Sequence, residues 1–180
     1  MNKTKFGKSA AKSCALVGTM AAILECAKLA LSFIPNVEVV TLFTSLFGFV
    51  FGWYGVAAAA VFVCVEPLIY GFGTWIISYY LYWPFVALVF MLLSKARIKN
   101  RVILTGAAIL LTLWFGILTA LVDVGLFSGS YDNLFYRFSV YYVRGIVFYA
   151  IQLVTNAVIF PLLFLFLENK LQLIKKRLDI

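Results

Sequence analysis

The sequence has no histidine and few charged residues of either sign. Without imidazoles it lacks the commonest general base and metal ligand. Only 12% of its residues are charged, whereas soluble domains have about 25%. The three cysteines, Cys14, Cys26 and Cys64, lie in apolar runs without the spacing of a metal site or a disulfide framework. We interpret them as small packing residues and expect neither a metal nor a cofactor.

Motifs that carry enzymatic chemistry are also missing. There is no GxxxxGKS/T phosphate loop, no HExxH pair and no GxSxG nucleophile turn. No cluster of acidic residues suits magnesium and phosphate chemistry. The sequence therefore predicts that the chain is not an enzyme and does not itself hydrolyse nucleotide.

Apolar residues dominate what is present. They make up 64% of the 180 residues, and the mean hydropathy is +1.03. This composition predicts an integral membrane protein with a single membrane-embedded domain, residues 1–180. The basic segment 1–9 is followed by an apolar run that is too long for a cleavable signal peptide and lacks a cleavage site.

Apolar runs predict an all-α fold with six transmembrane helices, since a spanning helix needs about 20 mainly apolar residues. Glycine-rich turns at 52–55 and 71–73 separate three of the runs. The second and third helices are short, so protein must cover some of their backbone. The expected helices are 10–33, 37–51, 55–70, 74–93, 102–127 and 139–167.

The net charge of +8 comes mainly from three short basic blocks beside apolar runs. With six spans, all three blocks fall on one side, which the positive-inside rule identifies as the cytoplasm. Both termini are then cytoplasmic, and the loops 35–38, 70–73 and 128–138 face outward. This pattern argues against a nucleic-acid partner. The blocks consist of Lys3, Lys5, Lys8 and Lys12, of Lys95, Arg97, Lys99 and Arg101, and of Lys170, Lys175, Lys176 and Arg177.

The break at 32–38 turns the chain back into the membrane. Pro35 cannot continue a helix. We expect Asn36 to cap the next helix and Glu38 to lie in its first turn, where a negative charge is favoured. The turn is either a capped hairpin or one wall of a ligand site.

Ionisable residues within spans usually face protein or water, often in pairs. Glu25 and Lys28 are three residues apart on one helix, and a local ion pair is expected. Glu66 either reaches the interface or lines a pocket. Arg144 either extends to the outer surface or serves a ligand or acidic partner.

Two stripes at helical spacing suggest a small-molecule site near the outer face. Trp75, Tyr79 and Tyr82 share one face of the fourth helix. The sixth helix carries a cation, a ring and two amides at four-residue intervals. Buried amides need partners, so they bond either to other helices or to a ligand. The second stripe consists of Arg144, Phe148, Gln152 and Asn156.

The first helix has a stripe of small residues at spacings of four, three and four. Small residues at such spacing let another helix approach closely. The partner helix belongs either to this chain or to another protein. The stripe consists of Ala11, Ala15, Gly18 and Ala22.

Several of these features together resemble the substrate-binding S components of energy-coupling-factor (ECF) vitamin transporters. They are the long first helix, Ser-Phe-Ile-Pro-Asn-Val-Glu at 32–38, the glycine-punctuated second and third helices, and Tyr-Gly-Phe-Gly-Thr-Trp at 70–75. The resemblance covers most of the chain. It implies a six-helix binding protein without ATPase activity in the plasma membrane of a prokaryote. Its implied partners are a transmembrane T subunit and two cytoplasmic ATPase subunits.

The resemblance also implies roles for individual residues. Ala11 and Ala15 match the two alanines that dock on the T subunit, and Gly18 and Ala22 extend that stripe. The vitamin would be held near the outer face by three loops and the later helices. The expected binding residues are Asn36, Glu38, Tyr70, Phe72, Trp75, Tyr79, Arg137, Tyr141, Arg144, Phe148, Gln152 and Asn156.

The choice of vitamin follows from the outer-half residues. Only Arg137 and Arg144 supply cations there, whereas rings and amides are abundant. Cobalamin is therefore expected first, followed by pantothenate, folate and riboflavin. The alternatives are a self-contained small carrier, for which we find no internal repeat, and a membrane assembly protein in which the polar stripe only joins helices.

Overall fold

A computed structural model describes residues 3–127, 129 and 132–179, with side chains from residue 10 onward. These residues form six helices and no strand, which confirms the all-α prediction for the described part of the chain. The predicted outer loop 128–138 lies partly outside the described residues. The helices are α1 (Lys3–Ala30), α2 (Val40–Phe51), α3 (Trp53–Tyr70), α4 (Trp75–Lys95), α5 (Arg101–Phe127) and α6 (Leu134–Leu178).

Five of the helices are long and apolar enough to cross a membrane: the Ala10–Ala30 part of α1, and α3, α4, α5 and α6. The sixth, α2, has 12 residues. At 1.5 Å per residue it is about 18 Å long, against about 30 Å of hydrocarbon core. The chain is therefore a membrane protein by the length and composition of its helices.

The short helix α2 lies at the centre of the bundle. Phe43 alone among its residues is not fully buried, and α2 packs against α3, α4 and α6. Two glycines allow this close packing. A Cβ on Gly48 would lie 2.1 Å from the carbonyl oxygen of Ala87, and one on Gly55 would lie 2.3 Å from that of Phe47. Protein therefore covers the α2 backbone, as expected for a helix too short to span.

Replacing Gly48 by alanine should destabilise the bundle, because backbone atoms of α4 occupy the space of the new methyl group. Overpacking typically costs about 1–3 kcal/mol. The measurement is the apparent melting temperature in detergent. Gly106→Ala is the matched control, since nothing lies within 4 Å of a Cβ on Gly106. A helical alanine is favoured there, so equal melting temperatures for both variants would contradict the packing of α2 on α4.

Polar contacts join several segments at one end of the bundle, which we call the basic end. Lys99 pairs with buried Glu168 at 3.0 Å. Lys175 donates to the Val50 carbonyl at the end of α2, at 2.7 Å. Ser13 of α1 donates to the Tyr54 hydroxyl at 3.2 Å. Residues from the three basic blocks therefore lie at the same end, opposite the start of α2.

The longest helix, α6, exceeds its predicted range of 139–167 in both directions. Asn133 has a φ of 55°, and the helix starts directly after it. At the other end α6 continues through a polar segment to Leu178. The fall in hydropathy after residue 167 predicts a helix end, but Glu168 and Lys175 continue the helix and bind neighbouring segments.

The interpretation of the cysteines as packing residues is wrong. Cys14, Cys26 and Cys64 are all exposed and form no disulfide. Cys64 accepts a hydrogen bond from the Tyr80 hydroxyl of α4 at 3.0 Å but is still exposed. A small apolar thiol suits a face that lipid covers as well as it suits a core.

Candidate ligand-binding site

The segment between α1 and α2 is organised by Glu38. Its Oε2 accepts the Thr41 N–H at 2.8 Å, and its Oε1 accepts the Thr41 hydroxyl at 2.6 Å. The prediction that Asn36 caps α2 is therefore wrong. Asn36 has a φ of 64°, and the helix begins at Val40. The prediction that Glu38 lies in the first turn is also wrong, because Glu38 precedes the helix and its carboxylate accepts the Thr41 N–H from outside it. The Asn36 amide is thus not used in capping.

A cavity of about 230 Å³ lies against this segment, and we call it the loop cavity. It is bounded by the end of α1, the 31–41 segment, α4 and α5, with Gln152 from α6. Five of the predicted binding residues line it: Asn36, Glu38, Tyr70, Tyr79 and Gln152.

A larger cavity of about 510 Å³ lies between α4, α5 and α6, and we call it the α6 cavity. Thr119, Asp123 and Tyr149 contribute to its lining, in addition to residues predicted from the sequence. The predicted residues that line it are Asn36, Trp75, Tyr79, Tyr141, Arg144, Phe148 and Gln152.

The two cavities adjoin. Asn36, Tyr79, Phe115 and Gln152 line both of them. We refer to the two together as the joined cavities. Together they extend from Arg144 at the α6 side to the 31–41 segment.

A continuous series of aromatic rings borders the cavities, and Tyr142 extends it although it lines neither of them. Trp75 and Tyr79 have ring centroids 5.0 Å apart, and Tyr79 lies 6.1 Å from Phe115. Phe115 lies 6.4 Å from Tyr149, which lies 5.6 Å from Tyr142. Such tilted and edge-on contacts are favourable between aromatic rings. The predicted face of Trp75 and Tyr79 is thus part of a wall that spans three helices.

Three polar side chains face the α6 cavity without a partner. In the described part of the chain, Asn36, Gln152 and Arg144 form no side-chain hydrogen bond and no ion pair. Asn36 and Gln152 are half-buried, where an unbonded polar group is costly, whereas Arg144 is exposed. Two amides and a guanidinium are therefore available to a ligand or to water.

The second amide of the α6 stripe has a different role. Asn156 is fully buried, and its Nδ2 donates to Thr112 Oγ1 at 3.0 Å and to Glu38 Oε1 at 3.3 Å. It therefore joins α6 to α5 and to the 31–41 segment. Of the two alternatives left open by the sequence, Asn156 is bonded to neighbouring elements, whereas Gln152 lines the cavities.

The different positions of Gln152 and Asn156 predict opposite effects of alanine substitution. Gln152→Ala should weaken ligand binding about tenfold or more, since an unpaired partner costs about 1–3 kcal/mol and 1.4 kcal/mol is a factor of ten. It should leave the melting temperature unchanged. Asn156→Ala should lower the melting temperature, because Thr112 and Glu38 lose a buried donor. Titration and thermal unfolding of both variants check this, and a reversed pattern would contradict the assignment.

The predicted ion pair between Glu25 and Lys28 is wrong. Lys28 instead forms its ion pair and a hydrogen bond with Glu66 of α3. Its ammonium group also lies 4.1 Å from the centroid of the Tyr70 ring. Glu66 is fully buried, so it neither reaches the interface nor lines the loop cavity. Packing of α1 against α3 places the Glu66 carboxylate, and not that of Glu25, within hydrogen-bonding distance of Lys28.

Besides Asn156, two predicted binding residues line neither of the joined cavities. Phe72 is 84% exposed and lines neither of them. Arg137 lines a third recess of about 350 Å³, together with Asp123, Tyr141 and Arg144. Because the last three residues also line the α6 cavity, Arg137 lies beside that cavity rather than in it.

The sequence reasoning missed the contribution of α5. Thr112, Phe115, Thr119 and Asp123 all line one or both cavities. Their spacings of three, four and four place them on one helix face, so the same periodicity test would have found them. Lys28, which lines the loop cavity, was missed because it was assigned to Glu25.

The small-residue stripe of α1 faces outward. Ala11, Ala15, Gly18 and Ala22 are all exposed, and nothing lies within 4 Å of a Cβ placed on Gly18. Of the two alternatives, packing against another helix of this chain is therefore excluded for the described residues. The surface is open to lipid or to another protein.

Comparison with known proteins does not assign a function to this site. The site consists of two adjoining cavities with aromatic walls and three unpartnered polar groups. No family model, curated protein or solved structure matches the chain.

Proposed function

We propose that the chain is the substrate-binding S component of an ECF-type vitamin importer. The observation that carries the proposal is the set of unpartnered side chains, Asn36, Gln152 and Arg144, in an aromatic-walled cavity of a membrane bundle. Small-molecule sites have mostly apolar walls and a few placed polar groups. The likeness of segments 32–38 and 70–75 to S components supplies the transporter class.

The ligand is a water-soluble vitamin held by rings and by a few polar anchors. The α6 cavity of about 510 Å³ lies within the usual range of about 300–1,000 Å³ for small-molecule sites. Cobalamin is the largest of the four vitamins expected from the sequence, so these volumes favour the smaller ones. Arg144 suits an acid group, and the Trp75–Tyr79 pair suits a planar ring, a combination that folate offers.

The proposed topology has six crossings with both termini in the cytoplasm of a prokaryotic cell. The shared position of Lys99, Lys175 and Lys12 at the basic end supports it, since cations concentrate on the cytoplasmic side. The short α2 would cross together with the 31–39 segment. The joined cavities, at the opposite end from the basic residues, would then face outward.

Cysteine labelling tests this topology. With the three native cysteines removed, a cysteine at Asn100 should react only from the cytoplasmic side and one at Asn133 only from outside. Both positions flank helix starts and are exposed. An impermeant maleimide applied to intact cells and to inverted vesicles distinguishes them. Reaction of both positions from the same side would contradict the six-crossing topology.

In the proposed transporter, two partner ATPase subunits hydrolyse ATP, and this chain docks on a T subunit. The open face of Ala11, Ala15, Gly18 and Ala22 supports a docking role, because close approach needs small side chains. The chain itself would only bind and release the vitamin, with no catalytic step.

Identification of a co-purified ligand tests the proposed function. The chain is purified in detergent without partners, and released small molecules are identified by mass spectrometry. We expect a water-soluble vitamin in the wild-type sample and much less of it in Gln152→Ala. Equal amounts of a vitamin in both samples, or none in either after growth with all four vitamins, would contradict the proposal.

A further inference from the structure

A further recess, distinct from the joined cavities, lies at the basic end between α1, α2 and α6. Its volume is about 470 Å³. Its walls are formed mainly by apolar side chains from all three helices, among them Leu16, Met20, Phe47, Phe51, Leu171 and Ile174. We call it the basal groove.

The charged residues in the lining of the basal groove are both cations. Lys12 of α1 and Arg177 of α6 are exposed, and neither forms an ion pair with a described residue. No carboxylate lines the groove. The groove therefore combines an apolar wall with two positive charges that form no ion pair with a described residue.

We propose that the basal groove binds one anionic phospholipid, with an acyl chain on the apolar wall and the phosphate group at Lys12 and Arg177. Basic pockets between transmembrane helices on the cytoplasmic side are typical sites for acidic headgroups. The apolar wall would accommodate an acyl chain of the lipid, and the two cations would favour a negatively charged headgroup. This inference does not depend on the identity of the vitamin.

A protein occupant fits the groove less well. A second copy of the chain in a two-fold contact would bring Lys12 and Arg177 toward their own counterparts, and such like charges repel. A membrane lipid already surrounds the helices at this depth, so its chain reaches the groove without a separate encounter.

The test uses the purified chain alone in nanodiscs that contain phosphatidylcholine and phosphatidylglycerol, with retained lipid measured by native mass spectrometry. We expect one phosphatidylglycerol per chain. Lys12→Gln with Arg177→Gln should lower its retention about thirtyfold, since each cation near the surface contributes roughly a factor of five. Lys95→Gln with Lys176→Gln removes the same charge from exposed residues outside the groove and should retain the lipid.

A conservative pair, Lys12→Arg with Arg177→Lys, keeps both charges and should also retain the lipid, which separates loss of binding from loss of folding. The proposal is overturned if phosphatidylcholine is retained as well as phosphatidylglycerol. It is also overturned if both glutamine pairs behave alike, or if the chain is recovered as a lipid-free dimer.

Discussion

Trp75→Ala should weaken vitamin binding by roughly 30-fold to 150-fold. Trp75 lines the α6 cavity, and its ring centroid lies 5.0 Å from that of Tyr79. A ring system bound in the cavity would therefore bury one face of the Trp75 indole. Loss of an aromatic side chain and its burial costs about 2–3 kcal/mol, which converts to that range. Titration of the purified variant with the identified vitamin measures the effect.

Trp114→Ala is the matched control for this change. Trp114 is on α5, is 41% exposed and lines neither cavity. Its loss should leave the dissociation constant unchanged. If Trp75→Ala and Trp114→Ala have the same affinity as the wild type, the aromatic wall is only part of the ring belt at the membrane interface.

Gly18→Trp should abolish energised vitamin uptake while the isolated chain still binds its ligand. Nothing of this chain lies within 4 Å of a Cβ on Gly18, so the indole can be accommodated without disturbing the bundle. It would, however, block the close approach of a helix from a T subunit. Uptake by cells that express the partner subunits is compared with ligand binding by the purified chain.

Gly106→Trp provides the control for the docking prediction, because Gly106 on α5 also has open space around its Cβ position. Uptake should survive that change. Normal uptake by Gly18→Trp would mean that the small-residue stripe of α1 faces lipid during transport. Loss of uptake by both variants would indicate a general effect of a bulky residue on insertion.

The helices could be predicted from the sequence because long apolar runs are a strong signal, and α5 at Arg101–Phe127 differs from its predicted range by one residue. Helix ends that depend on specific contacts could not be predicted in this way. The start of α2 depends on the Glu38 carboxylate, and the extension of α6 depends on Glu168 and Lys175 meeting other segments. Such contacts join residues far apart in the chain, which periodicity does not reveal.

The candidate site shows the same division. Stripes on single helices could be predicted, and the structure brings most of their members to one pair of adjoining cavities. Pairings between helices could not be predicted, as Lys28 with Glu66 and Asn156 with Thr112 show. The spacing of the α5 residues also indicates one face, but threonines in an apolar helix usually bond their own backbone, as Thr112 and Thr119 do, and so give only a weak signal of a site.

The most direct test of the central claim is isothermal titration calorimetry of the purified chain, without partner subunits, against cobalamin, pantothenate, folate and riboflavin in turn. We expect saturable one-to-one binding of one of these vitamins with a dissociation constant below about 1 μM, equivalent to about −8.2 kcal/mol. Trp75→Ala should weaken that binding, and Trp114→Ala should not. Heats of dilution alone for all four vitamins would contradict the assignment of the joined cavities as a vitamin site.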